Sequence, residues 1–288
     1  MPLIKRRDGV YLKKLPGFRK MFPFLMPKRA ESVIFYSQRV RLRETLAWLE
    51  KVNVGREKRL SIFHVVLAAG ARTLALRPDA NRFVAGRRIY QRRTIDLSFV
   101  VKRELTEVAG ETTVKITLDP KATVYDVAAR VRAAVQSTRG SDSSADEKKT
   151  DFLTSLPRFV TRLAMWGART LDYFNLLPAS FIRGDSLYTS AYLANLGSIG
   201  LDAVFHHMFE WGNAAFFVVV GKRKKEPVVN DLGDIEALDV LDMNISLDER
   251  ITDGVNYATT IAMVTDFIEN PAKLEIPPEH LPDPLEFA

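Results

Sequence analysis

Asp248-Glu249-Arg250-Ile251-Thr252-Asp253-Gly254 is the stretch on which the reading of this chain turns. Before it, Met243–Leu247 alternates apolar and polar residues and reads as a strand. After it, Val255–Glu269 reads as a helix that Pro271 stops. Asp253 stands where the N-cap of that helix belongs, with a short acceptor side chain for a free backbone N–H. It is also placed to pair with a basic residue. The stretch is therefore a strand-to-helix turn, and its acids and base crowd into a few residues.

Working outward, Ser190–Asn195 and Ala214–Val220 read as strands, the second almost wholly apolar and so buried. Ser61–Leu76 is a buried helix with Ser61 at its start and Pro78 just past its end. Further helices are expected over Arg41–Lys51 and Val124–Val135, and further strands over Ser32–Phe35, Tyr90–Val101 and Glu111–Leu118. Pro157–Phe174 is amphipathic: Phe159, Val160, Leu163, Trp166, Leu171 and Phe174 oppose Arg158, Arg162, Arg169 and Asp172. Ser141–Lys149 reads as a polar loop and the proline-rich tail after Pro277 as extended chain. Helices and strands interleave without a strict βαβ rhythm. The pattern predicts an α/β fold, a two-layer sandwich with a mixed sheet.

The 288 residues, 47% hydrophobic and 27% charged, have ordinary globular composition. Cysteine is absent, which excludes disulfides, cysteine-bound zinc and a thiol nucleophile. An imidazole base must come from His64, His206, His207 or His280. No apolar run approaches the roughly 18 residues of a spanning helix, and no signal-type segment opens the chain, so a cytoplasmic protein is expected. The net charge of +7 sits in residues 1–29, where nine Lys and Arg face Asp8 alone. These residues read as a basic arm, and 30–288 as the main domain with a helical insertion at about 152–183. The arm suits peripheral contact with an anionic membrane, or else packing across a neighbouring subunit through Phe18, Met21, Phe22, Phe24 and Leu25. No nucleic-acid partner is expected, since such modules carry their charge on a folded face.

Four blocks in order resemble one family. They are Leu60–Phe63 leading to Leu76-Arg77-Pro78-Asp79-Ala80-Asn81, the strand Thr94–Val101, Ala194-Asn195-Leu196-Gly197-Ser198-Ile199-Gly200, and the opening stretch. Gly221 and Pro227-Val228-Val229 fall between the last two with matching spacing. The chain resembles, over about 30–274, the acyltransferase catalytic core of 2-oxoacid dehydrogenase complexes, a family allied to chloramphenicol acetyltransferase. The resemblance implies a homotrimer with active sites at subunit interfaces, and coenzyme A as acyl carrier without a metal. The lipoyl and partner-binding domains of such enzymes are not recognisable here, so a standalone member without its own lipoyl group is expected.

Carried onto this chain, the family pattern D-H-R-x-x-D-G retains Arg250, Asp253 and Gly254, which the family uses to hold the loop. The general-base histidine falls on Glu249, and the hydroxyl that stabilises the oxyanion falls on Ala194. Replacing His, pKa about 6.5, by Glu, about 4.3, removes roughly 3 kcal/mol of basicity unless burial raises the carboxyl. Asn195, Gly197 and Ser198, or Thr189 and Ser190, are the remaining candidates near the oxyanion. His206 and His207 are candidates for a relocated base oriented by Glu249 or Glu210; being adjacent, they point apart and make a poor metal pair. His64 is expected to be a satisfied core histidine and His280 a solvent-exposed one. Two functions follow: a coenzyme-A-dependent acyltransferase with a remodelled site, or a catalytically inert trimeric scaffold on the same fold.

Overall fold

A computed structural model describes residues 4–102, 111–139, 154–229 and 232–288; the expected polar loop 141–149 lies outside them. The elements are β1 (Gly9–Tyr11), α1 (Gly17–Leu25), α2 (Arg29–Ser32), β2 (Val33–Arg41), α3 (Arg43–Val52), α4 (Ile62–Leu76), β3 (Arg82–Ala85), β4 (Arg88–Arg92), β5 (Ile95–Lys102) and β6 (Glu111–Leu118). They continue with α5 (Val124–Arg139), α6 (Arg158–Tyr173), α7 (Ala179–Gly184), β7 (Ala191–Asn195), β8 (Phe216–Val229), β9 (Ile235–Asp248) and α8 (Gly254–Glu269).

Six strands form the main sheet in the order β2-β9-β8-β7-β5-β6. The pairs β7/β8 and β5/β7 are parallel and the other neighbours antiparallel, so the sheet is mixed. One face packs against α3, α4, α5 and α8 around Leu67, Leu97, Ile116, Met243, Leu247 and Ile268. The alternation of β9 explains this: Met243, Ile245 and Leu247 enter that core, while Asn244, Ser246 and Asp248 point to the opposite face. The opposite face carries Tyr192, Phe217 and Val219. Residues 201–213 cross it, held by hydrogen bonds from Asn244 to the Ala203 carbonyl and from Ser246 to the His206 carbonyl.

The expected two-layer α/β sandwich is therefore the observed architecture. One expected strand divides: Tyr90–Val101 becomes the end of β4 and most of β5, in different sheets. The chain leaves the ladder at Arg93, whose N–H donates to Asp8 O, and Thr94, whose carbonyl accepts from Asn81 Nδ2. β4 then pairs with β1 and β3 in a small second sheet. β8 and β9 run much longer than the apolar segments that announced them, because the charged run Arg223–Glu226 of β8 continues the ladder against Leu238–Leu241 of β9.

Three of the arginines in the basic segment pack onto the body of the chain. The Arg6 guanidinium is buried between Asp8 and Asp172, at 2.7 and 2.9 Å. Arg19 and Arg29 also turn inward, and α1 lies across the loop 249–253. Among the described residues no helix is long and apolar enough to cross a membrane.

Candidate active site

The loop Glu249–Asp253 hangs between β9 and α8 and is tied down at nearly every residue. Asp248, at the last position of β9, is buried and accepts two hydrogen bonds from the Arg250 guanidinium, at 2.8 and 2.7 Å, and one from the Arg250 N–H at 3.1 Å. Burial alone would push the Asp248 carboxyl up; the hydrogen bonds and charge of Arg250 outweigh it and hold the pKa below the usual carboxylate range. Arg250 also donates to Met26 O at 3.1 Å, which fastens the chain after α1 to the loop. Arg29, equally buried, donates to Gly212 O and Ala214 O, each at 2.7 Å, and its charge also faces Asp248. The Tyr257 hydroxyl, one turn into α8, donates to Asp248 O.

The far side of the loop is equally fixed. Asp253 caps α8, accepting from Asn256 N at 2.9 Å, as expected from its position. That backbone bond, aided by the Asn256 amide and by Arg19, holds its pKa below the usual range despite desolvation. Thr252 donates to Asp79 at 3.2 Å. Arg19 reaches from α1 to the carbonyls of Glu249 and Thr252, at 3.3 and 2.9 Å, and stands 3.9 Å from Asp253. Composition marked the N-terminal segment as basic; only the folded chain shows that Arg19 braces this loop and that Arg29 sets its charge against Asp248 beside it.

Glu249 is the exception. Its backbone is pinned, with its N–H on Ser32 O at 2.9 Å. Its half-buried side chain makes no hydrogen bond or ion pair among the described residues. Every neighbour in the loop serves to hold geometry, while this carboxylate is held out without an internal partner.

Ala194 is the next-to-last residue of β7, opposite Val219 in the parallel ladder, and is half-buried. The turn that follows is built on close backbone approach: a β-carbon at Gly197 would stand 2.4 Å from Gly221 O. The Ser198 hydroxyl donates to Asn195 O at 2.7 Å. Two of the hydroxyls considered for the oxyanion are unavailable. Thr189 Oγ1 donates to Asp96 O at 2.7 Å, and Ser190 Oγ accepts from Asp96 N at 3.1 Å, both buried between strands. Sequence spacing could not reveal this, because Asp96 is about a hundred residues away in the chain.

His206 lies flat on Phe217, ring centroids 3.9 Å apart, and stacks on His207 at 4.4 Å. Its Nδ1 meets the His207 carbonyl at 2.7 Å. Within this chain neither imidazole forms a hydrogen bond or ion pair with Glu249, and Glu210 instead accepts from Ala30 N at 3.1 Å. Among the described residues no group of His, Asp and Glu is arranged to hold a metal ion. His64 is not a core residue: it sits in the first turn of α4, where Ser61 N and Oγ meet its Nδ1 at 3.1 and 2.8 Å. Burial, with Arg132 nearby, pulls its pKa down to about 4. His280 is exposed, as expected.

Residues 187–276, which include Ala194 and the whole loop, match the family described as 2-oxoacid dehydrogenases acyltransferase (catalytic domain). Comparison with curated proteins gives no match. Among solved structures, the fold is similar to dihydrolipoamide acetyltransferase of Azotobacter vinelandii, at 16% identity and a TM-score of 0.59 over 88% of this chain and 90% of that one. A serine, a histidine and an asparagine of that enzyme were investigated for their role in its catalytic mechanism, the last two four positions apart. The cubic core of a pyruvate dehydrogenase multienzyme complex is as similar, at 16% identity and 0.59 over 94% and 93%. A chloramphenicol acetyltransferase follows at 14% and 0.54 over 87% and 94%.

Proposed function

We propose that this chain, with an acyltransferase fold and a catalytic-domain signature over 187–276, is a coenzyme-A-dependent acyltransferase whose general base is Glu249. One observation carries the reading: the loop is fully braced, yet the single side chain at the base position is left without a partner. A purely structural Glu249 would be expected to spend its charge on a neighbouring base, as Asp248 and Asp253 do. The four-residue spacing of the Azotobacter histidine and asparagine, laid on this loop, falls on Glu249 and Asp253.

In the proposed reaction the Glu249 carboxylate accepts the proton of an acceptor thiol, amine or hydroxyl as that atom attacks the thioester carbonyl. The tetrahedral intermediate then expels the coenzyme A thiolate, breaking the C–S bond, and Glu249 returns the proton to the leaving sulfur. Acylated acceptor and free coenzyme A result. With Ala194 lacking a hydroxyl, the oxyanion would depend on backbone N–H groups of the Asn195–Ser198 turn. Asp248, Arg250, Arg29 and Arg19 act as positioning residues. His206, stacked on Phe217, and His207, stacked in turn on His206, serve this scheme by shaping the sheet face; as a base they would need Glu249 of another subunit to orient them.

A homotrimer suits the geometry. β2 is an edge strand of the sheet, with Ile34, Phe35 and Tyr36 exposed, and an apolar groove of about 580 Å³ runs between it and α8. A second reading, an inert trimeric scaffold, draws on Ala194 and on the locked hydroxyls of Thr189 and Ser190. Purified protein assayed with several acyl-coenzyme A donors and thiol, amine and hydroxyl acceptors decides between them. Release of free coenzyme A that depends on acceptor supports the transferase. Absence of both turnover and saturable coenzyme A binding leaves the scaffold.

A further inference from the structure

Helix α6 has no buried residue. Phe159, Leu163 and Trp166, spaced to share one stripe, are 73%, 63% and 65% exposed. Arg158, Arg162 and Arg169 belong to the same helix, and its one acid, Asp172, is turned inward onto Arg6. An apolar stripe of this size stands outward in water. Such a stripe marks a docking face.

Helix α1 repeats the arrangement. Phe18, Met21 and Leu25 are 73%, 50% and 63% exposed, and the helix contains Arg19 and Lys20 but no acid. The two helices are neighbours, since both meet the β3–β4 turn. The Arg87 guanidinium lies 5.6 Å from the Phe24 ring, and Gly86 abuts the Tyr173 carbonyl so closely that a β-carbon would overlap it. Between them opens a cleft of about 470 Å³ to which Lys28, Arg87 and Arg169 contribute.

We propose that α6 and α1 together dock this protein on an anionic lipid surface. Phe159, Leu163, Trp166 and Phe18 seat at the boundary of headgroups and acyl chains, and the arginines and lysines beside the cleft meet lipid phosphates. The charge pattern selects this occupant. A protein-binding face tends to be depleted of charge at its centre, whereas aromatic and leucine stripes flanked by Arg and Lys, on helices whose one acid turns inward, are the composition of a helix lying in a bilayer interface; the exposed acid of the cleft, Glu210, is engaged by Ala30 N. The inner side of α1 braces the 249–253 loop through Arg19, so the lipid surface would lie about one helix diameter, roughly 10 Å, from that loop.

The test is co-sedimentation of the full chain with vesicles of phosphatidylcholine alone and of phosphatidylcholine mixed with phosphatidylglycerol, at low salt. Binding to the mixed vesicles is expected, with a loss of tenfold or more in the variant Leu163→Ser/Trp166→Ser and in Arg158→Glu/Arg162→Glu/Arg169→Glu. All of these positions are surface-exposed, so the fold is retained, which circular dichroism checks. Quenching of tryptophan fluorescence by brominated lipid should disappear in Trp166→Phe. Absence of binding to mixed vesicles, or binding unchanged in both multiple variants, overturns the proposal. It is also overturned if the Leu163/Trp166 variant dissociates an oligomer in sedimentation velocity while the parent protein ignores vesicles, because the face then joins copies of this chain.

Discussion

Replacing Arg250 by Met should be among the most costly single changes outside the hydrophobic core. The Asp248 carboxylate is 2% exposed and takes three hydrogen bonds from Arg250. Removing the guanidinium strands a buried charge, a loss of about 3–5 kcal/mol. Arg29 still faces Asp248 and moderates the loss, so the lower end is expected. Asp248→Asn should cost more, because it leaves Arg29 and Arg250 buried beside each other without the intervening acid. The double variant Asp248→Asn/Arg250→Met should cost less than the two single changes added together, by roughly 2 kcal/mol of coupling. Urea unfolding at fixed protein concentration, followed by circular dichroism, measures all three. The pH dependence supplies an independent sign. A carboxyl held below its unfolded pKa of about 3.9 contributes stability that is present above that value and lost as pH falls through the lower folded value. In Arg250→Met the carboxyl moves upward, so acid unfolding should begin at higher pH. A cost below about 1 kcal/mol for Arg250→Met, or strictly additive costs, would refute this picture of the loop.

Other outcomes are equally specific. The His64 imidazole should titrate at about 4 in NMR spectra; because its folded pKa is depressed, its share of stability is full above the unfolded value and declines as pH falls from about 6.5 toward 4. Titration near the unperturbed value would contradict the burial of the ring beside Arg132. Gly197→Ala should cost about 1–3 kcal/mol and shift the Asn195–Ser198 turn, since its β-carbon meets the Gly221 backbone; an unchanged melting temperature would contradict that close approach. Tyr257→Phe leaves the Asp248 carbonyl without its hydroxyl donor and should cost about 1–2 kcal/mol in the same unfolding experiment.

Local chemistry made much of the fold readable in advance. Ser61 announces α4, and Asp253 announces α8, because capping and helical periodicity act within a few residues. The braced loop was legible as a turn for the same reason. What escaped is long-range. The division of Tyr90–Val101 depends on Asp8 and Asn81 capturing the backbone of Arg93 and Thr94. The inward turn of Arg6, Arg19 and Arg29 depends on acids and carbonyls up to about 230 residues away, so a segment read as a basic arm packs three of its arginines onto the body of the chain. The outer half of β8 is a charged run, Lys222–Glu226, that carries no apolar signal, and in the outer half of β9 the buried Leu238 and Val240 stand among acids without the longer alternation that announces a strand.

The acyltransferase reading stands most directly on the kinetics of Glu249→Gln. That change keeps side-chain size and disturbs no hydrogen bond of the loop, so the melting temperature should stay unchanged. With Glu249 as base, kcat/KM for transfer from acyl-coenzyme A should fall by about 10²–10⁴, and Glu249→His should restore much of it. Full activity in Glu249→Gln would contradict the assignment.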